Sequence, residues 1–394
     1  MHIPQAAVRS IAAVAPLTAL IDRDTAASYS SVATAAITAM TKTYSTSSLQ
    51  WAGVGGWEAA NAYNDIMDMD LRTGQKAYES TYGASLLSIA TSTASQQKVQ
   101  STDNYNDDQL WWCLAMIRAY QNYKHPELLT QAENQWKAIG AKAQVFKKDQ
   151  GTTVTKMGLT RTPAIPANCD VDGAVYWSSD ANSGLNAIST GLFAQVGAWL
   201  YAITGDTQYL GPSLSALGWL QRMMLDPATG ILHIDSYTMD GCTEHFGSLT
   251  YNTGVYIGTL SSLWLSTGDQ KYYTALNFTA TTSVTGFFGN EPAAPLVVDQ
   301  QNDLTAPGDG VMWRDVLFRN IVDFYTVMQI KKQDNPVLMG RIKTWWKSNY
   351  NQIQTKAKFG DLYAANWFGK ITSGSDWGTA SVLSVLVGGM IVLA

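Results

Sequence analysis

The stretch Asn104–Tyr120, NYNDDQLWWCLAMIRAY, decides how this chain is read. It sets two adjacent carboxylates, Asp107 and Asp108, at the entrance of a helix whose body is apolar and aromatic: Leu110, Trp111, Trp112, Leu114, Met116 and Ile117. Such a helix is expected to be buried, with its acidic end at a surface or cleft. An apolar flank raises a carboxyl pKa by desolvation, whereas a helix N-terminus stabilises the carboxylate, so neighbouring acids can differ in protonation state. Glycoside hydrolysis uses such a pair, one acid to protonate the leaving oxygen and one carboxylate to attack or to activate water. Asn and Asp before an apolar run are also ordinary helix caps, and on this stretch alone capping is the simpler reading; both roles can coexist.

Outward from that helix, apolar periodicity and breakers give about twelve helical segments and almost no convincing strands. They fall into pairs: Ala26–Tyr44 with Trp57–Leu71, Lys76–Ala94 with the Asp107 helix, Pro126 to about Ala143 with Asn186–Ile203, Thr207–Met224 with Ser248–Ser266, Gln270–Thr282 with Val311–Lys331, and Pro336–Lys356 with Thr379–Leu393. Within a pair the connection is long and carries Gly, Trp and Asp. Between pairs it is short: LRTGQK, YKHPEL, TGDTQ, TGDQK, QDNP. Six helical hairpins with short links on one side and long loops on the other describe an all-α, (α/α)6 toroid whose inner ring is the second helix of each pair. Residues 23–394 then form a single catalytic domain behind an apolar N-terminal segment, 1–22, that could serve as a secretory signal. That segment is a poor signal, because Pro16 follows the Ala13-Val14-Ala15 site.

The long loops should share one face, around the N-terminal ends of the inner helices, and Asp107 and Asp108 sit there. The other entrances supply candidates to line a cleft: Trp57 and Asn61 in GVGGWEAAN, Asn106 and Trp111 beside the acids, Asp172, Trp177 and Asn186 in DGAVYWSSDANSGLNA, Tyr251 and Asn252 in TYNTGVY, Asp309 and Arg314 in GDGVMWRD, and Trp367 in ANWFG. Aromatic faces stack on sugar rings and short polar side chains bind hydroxyls, although each residue alone also fits helix capping or core.

Composition narrows the partners. The 394 residues are 46% hydrophobic and 14% charged, with 14 Trp and 19 Tyr, which argues for a packed, soluble body. A net charge of −5 with no basic run leaves no footprint for nucleic acid. The apolar end, Ala380–Ala394, is too short for a span, so stable membrane insertion is not expected, and nothing suggests an obligate oligomer. Three cysteines allow at most one disulfide. Cys113 reads as a packed thiol, and Cys169 with Cys242, both in polar loops, is the expected pair, consistent with an oxidising compartment. The CTEH stretch at Cys242 lacks a second metal-like pair, so no metal is expected. Asn277-Phe278-Thr279 is a glycosylation sequon inside an expected outer helix.

Taken in order, GGWEAAN, YNDDQLWWCLAMIRAY, VYWSSDANSGLNAIS, TYNTGVYIGTLSSLW and VLFRN resemble glycoside hydrolase family 76, the α-1,6-mannanases of bacteria and fungi, over nearly the whole chain. The paired-Asp motif is the most specific piece. The resemblance implies an (α/α)6 barrel that hydrolyses internal α-1,6-mannosidic bonds of mannan with retention, without metal or organic cofactor. It implies Asp107 as nucleophile, Asp108 as general acid/base, and a secreted or cell-wall location. The chain departs from the family pattern at Leu185, Thr253 and Arg314. Two other readings remain: a cell-wall transglycosylase of the same family acting on glycolipid-anchor mannose, and a non-catalytic mannan-binding protein on this scaffold.

Overall fold

The structure is a computed structural model that describes residues 23–99, 105–146, 154–156, 159–161, 170–178, 183–238, 242–289, 296–297, 309–368 and 373–394. Its helices come in hairpins. The first is α1 (Arg23–Thr41) and α2 (Gly56–Thr73). The second runs from α3 (Ala84–Thr91) through a short α4 (Thr93–Val99) to α5 (Asn106–Tyr123). Then follow α6 (Pro126–Ala143) with α7 (Ala187–Thr204), α8 (Leu210–Trp219) with α9 (Thr250–Thr267), and α10 (Gln270–Thr282) with α11 (Trp313–Ile330). The last is α12 (Pro336–Gln352) followed by α13 (Asp376–Ala380) and α14 (Leu383–Val392).

Second members form the inner ring: α2 packs on α5, α5 on α7, α7 on α9, α9 on α11, α11 on α14, and α14 back on α2. Outer helices cover it, with α6 against α5, α8 against α7, α10 against α9, and α1 and α12 against α14. This is an (α/α)6 barrel. Of all these helices, α7 alone among the described residues has the length and hydropathy of a membrane span, and it is enclosed in the ring. The short links fold for local reasons: α9 ends on left-handed Gly268 (φ 69°), and Asp269 then caps α10 by accepting the Lys271 N–H at 3.0 Å. Where α9 crosses α11 no side chain fits. A Cβ on Gly254 would lie 2.9 Å from the Val316 carbonyl oxygen and the Leu317 Cα.

The inner ring is not uniformly apolar. Arg72 donates to Asp68 Oδ2 (2.8 and 2.9 Å) and to Asp323 Oδ1 (2.8 Å), and Arg118 reaches Asp68 Oδ1 (3.0 Å) and Asp323 Oδ2 (2.6 Å). Arg319 pairs with Asp65 (3.2 Å) and Asp315 (3.5 Å) and donates to the Asn61 amide oxygen. All are buried. Burial first, and then the Asp315 charge, push Asp65 well above the usual carboxylate range against the pull of Arg319. Asp68 is also penalised by burial, but Arg118 and Arg72 hold it below its ordinary value. Asp315 Oδ1 already accepts the Ser384 N–H at 2.9 Å, so the proton of the Asp65–Asp315 pair sits on Asp65. Three guanidinium groups then face three carboxylates.

Three local expectations need correction. The segment expected as one helix ending at Ala94 breaks at Ser92, and a separate short helix, α4, continues to Val99. The final helix is broken at Ser381–Val382, because Ser384 turns its N–H and hydroxyl onto Asp315 (both 2.9 Å) and starts a new helix there. Short strands do occur in the loops. Among the described residues these are β1 (Val154–Lys156) with β2 (Leu159–Arg161), β3 (Leu185–Asn186) with β6 (Ile234–Tyr237) and β7 (Glu244–Phe246), β4 (Leu225–Asp226) with β5 (Ile231–Leu232), and β8 (Lys358–Phe359) with β9 (Leu362–Tyr363). Strands of two to four residues are too short to show a period.

Cys113 is a buried free thiol and Cys242 is disulfide-bonded; Cys169 lies outside the described residues. The sequon residue Asn277 sits in α10, where its amide oxygen accepts from Asn335 Nδ2 at 2.9 Å.

Candidate active site

The N-terminal turns of five inner helices converge on one cleft of about 570 Å³. From them come Trp57 (α2), Asp107, Asp108 and Trp111 (α5), Asn186, the cap of α7, Tyr251 (α9) and Trp313 (α11). A further wall is the β3–β6–β7 ribbon, which contributes Asp235, Ser236, Tyr237 and His245. Aromatic rings meet in pairs around the opening. Tyr105 stacks on Trp177 (4.6 Å, 23°), Tyr251 on Trp313 (5.0 Å, 23°), and Trp57 lies tilted against Trp111 (5.9 Å, 31°). Exposed aromatic faces beside carboxylates suit a ligand with apolar ring faces and many hydroxyls.

Asp107 is 8% exposed, in the first turn of α5, with Asp108 half-buried next to it. Its Oδ1 accepts the Asp108 N–H at 3.2 Å and its Oδ2 accepts the Trp177 indole N–H at 3.1 Å. Burial, and after it the charge of Asp108, push the Asp107 carboxyl well above its ordinary range, while the backbone N–H groups and the indole pull the other way. Across the cleft, burial raises Asp235, opposed by the Asn252 amide, which donates to Oδ1 at 2.9 Å, and by His245. Like charges in one desolvated cleft resist simultaneous ionisation, so the charge of Asp108 adds to burial in holding the Asp107 carboxyl up.

Of the residues expected at the site, Trp57, Asp107, Asp108, Trp111, Trp177, Asn186 and Tyr251 line the cleft. Several others do not. Asn61 lies one turn inside α2, between Arg319 and the Trp57 carbonyl (2.9 Å). Asn106 is a strut whose Nδ2 donates to Tyr176 O (2.7 Å) and whose N–H donates to Trp177 O (2.8 Å). Asp172 faces outward in a turn whose carbonyl accepts from Arg222 (3.0 Å), and Asn252 stands behind Asp235. Arg314 is buried, donating to Ala365 O (2.6 Å) with its guanidinium 3.8 Å over the Trp367 ring, so both belong to the core. The side chain of Asp309 lies outside the described residues. At the two other unusual positions the side chains serve the fold: Thr253 Oγ1 accepts the Leu232 N–H (3.3 Å), and Leu185 is buried in the pairing with Tyr237.

The sequence reading missed Tyr105, Trp313 and the β6–β7 part of the ribbon wall. Tyr105 and Trp313 stand within two residues of positions it did select. For Asp235 and His245 the only signal was the length of the connection between the Thr207–Met224 and Ser248–Ser266 segments.

The sequence model of glycosyl hydrolase family 76 matches residues 19–389. The chain belongs to glycosyl hydrolase family 76. One family relative, a Schizosaccharomyces pombe protein provisionally named a mannan endo-1,6-alpha-mannosidase, is 26% identical over 261 residues, 64% of this chain and 55% of its own length. The chain thus spans about half of that relative. Among solved structures, an inactive variant of the alpha-1,6-mannanase of Salegentibacter sp., with two consecutive aspartates replaced by alanine and alpha-1,6-mannotetrose bound, superposes with TM-score 0.74 at 17% identity, covering 92% of this chain and 99% of that one. Dfg5 from Chaetomium thermophilum in complex with glucosamine gives TM-score 0.66 at 18% identity, covering 86% and 81%. At these identities the likeness to solved structures concerns the family 76 barrel alone.

Proposed function

We propose that this protein is a retaining glycoside hydrolase that cleaves internal α-1,6-mannosidic bonds of mannan, with Asp107 as nucleophile and Asp108 as general acid/base. The observation that carries the reading is the pair itself: two consecutive acidic residues at one helix entrance, in a cleft walled by stacked aromatics. Support comes from the family relative whose inactive variant lacks two consecutive aspartates.

The N–H groups aimed at Asp107 stabilise its carboxylate and oppose the burial and the Asp108 charge that raise it. In the reactive form Asp107 is the carboxylate and Asp108 carries the proton; with Asp108 neutral the repulsion between the two is gone, and the donors are left to offset burial. In the first step a carboxylate oxygen of Asp107 bonds to the anomeric carbon while the glycosidic C–O bond breaks and Asp108 protonates the departing oxygen. In the second, Asp108, now a carboxylate, takes a proton from water, whose oxygen displaces Asp107 and restores the original configuration. Asp235, opposite the pair, is set to accept hydrogen bonds from sugar hydroxyls, with Asn252 fixing its orientation. A secreted or cell-wall location belongs to the same proposal, supported by the disulfide at Cys242.

The test is incubation of purified protein with linear α-1,6-mannan and, separately, with α-1,6-mannotetraose, following products and anomer by NMR beside Asp107→Asn and Asp108→Asn. Short α-configured oligomers, lost in both variants, are expected. Products longer than the tetraose would instead mean transfer to a sugar acceptor. Mannan retained without turnover would mean a binding protein.

A further inference from the structure

Trp177 does two things at once. Its ring, 41% exposed, stacks on Tyr105 at the mouth of the cleft, and its indole N–H ends on Asp107 Oδ2 at 3.1 Å. Its backbone is fastened on both sides: Trp177 O accepts the Asn106 N–H (2.8 Å), Tyr176 O accepts Asn106 Nδ2 (2.7 Å), and Trp177 N–H donates to Gly184 O (3.0 Å). Asn106 immediately precedes Asp107. The loop bearing the exposed ring and the helix turn bearing the acid are therefore one hydrogen-bonded unit, which holds the Trp177 backbone at a fixed place beside Asp107.

We propose that Trp177 is a positioning residue: the N–H it donates to Oδ2 orients Asp107 and stabilises it as the attacking carboxylate, while its exposed ring offers a sugar platform at the mouth of the same cleft. A sugar ring stacking on Trp177 thereby packs against the group that orients the attacking carboxylate. The inference rests on the reading of Asp107 as nucleophile. The titratable groups facing Asp107 are Asp108 on its own helix, Asp235, Tyr237 and His245 on the ribbon, and Tyr105 and Tyr251 at the rim. His245 is the one potential cation among them. Among the described residues the cleft wall carries no Lys or Arg, so hydrogen bonds are what these residues offer to a carboxylate there, and the Trp177 indole donates one to Asp107.

Trp177→Phe keeps a ring over Tyr105 and removes the N–H, and Trp177→Ala removes both. With an α-1,6-mannan oligosaccharide as substrate, kcat of Trp177→Phe is expected to fall about 10- to 100-fold with KM within about 2-fold, as for loss of a hydrogen bond to a charged group. The acid limb of kcat/KM should move up by about one pH unit. Trp177→Ala should in addition raise KM. An unchanged kcat and acid limb in Trp177→Phe, or a change confined to KM, would overturn the proposal. Titration of 13C-labelled aspartates, assigned with Asp107→Asn, gives a second readout independent of turnover: the Asp107 carboxyl should ionise at higher pH in Trp177→Phe than in the wild type. If the wild type does not turn over mannan, the functional reading fails, and this titration still decides whether Trp177 governs Asp107.

Discussion

The buried ion network makes a sharp prediction, because two of its aspartates look alike and should behave oppositely. Asp68 accepts from Arg72 at 2.8 and 2.9 Å and contacts Arg118 at 3.0 Å. Asp68→Asn leaves two buried guanidinium groups short of a counter-charge, which costs about 3–5 kcal/mol for a broken buried pair. With an unfolding entropy of about 2.1 cal/mol/K per residue over 394 residues, Tm should fall by about 4–6 °C. Asp65 holds the proton of its pair, so Asp65→Asn exchanges one neutral hydrogen-bonding group for another and at acid pH should stay within about 1 kcal/mol, or about 1 °C, with no loss at neutral pH. The pH dependences also oppose. The lowered Asp68 contributes stability that is present above its unfolded pKa, about 3.9, and lost as pH falls through the folded value. The raised Asp65 contributes stability that is present below about 3.9 and lost as pH rises through the folded value. Asp65→Asn should therefore gain on the wild type as pH rises. Thermal unfolding of both variants between acid and neutral pH measures this. Equal destabilisation by the two substitutions at neutral pH would show Asp65 to be ionised and refute the proton assignment.

Two further substitutions test the fold and the cleft wall. Gly254→Ala pushes a methyl group against the α11 backbone at 2.9 Å, where no rotamer can yield, and should cost about 1–3 kcal/mol of overpacking, seen as a Tm lower by about 1–4 °C in the same melt. Asn252→Ala strips Asp235 of its amide donor; oligosaccharide binding by calorimetry should weaken several-fold, about 1 kcal/mol, and weaken further toward acid pH as the carboxyl protonates more readily.

The hairpin phasing was readable because it is written in punctuation: links such as TGDQK combine a left-handed glycine with the next helix cap, and both work within a few residues. The Asp107 entrance followed from the same alternation of short links and long loops. Failures share one cause, which is that a polar or aromatic residue near a helix entrance can turn toward the cleft or into the wall. Asn61 turns to Arg319 and Trp367 slides under Arg314 because buried guanidinium groups elsewhere in the chain need partners. No neighbouring residue reports that need. The ribbon carrying Asp235 was invisible for a related reason. Its pairing joins Leu185–Asn186 to Ser236–Tyr237, about fifty residues apart, through strands too short to pattern.

Closure of the ring also orders events during synthesis. The seam between the first and last inner helices of the barrel is made by α14, and α1, the outer helix of the first hairpin, packs mainly on that same element. While α14 is still in the ribosome, α1 and one flank of α2 lack their cover, although each intermediate hairpin can already pack on its neighbour. Exposed apolar surface of this kind favours aggregation and chaperone capture. Substitutions along α14 should therefore reduce the yield of folded protein more than equal losses of stability elsewhere, because the barrel waits longest for that helix.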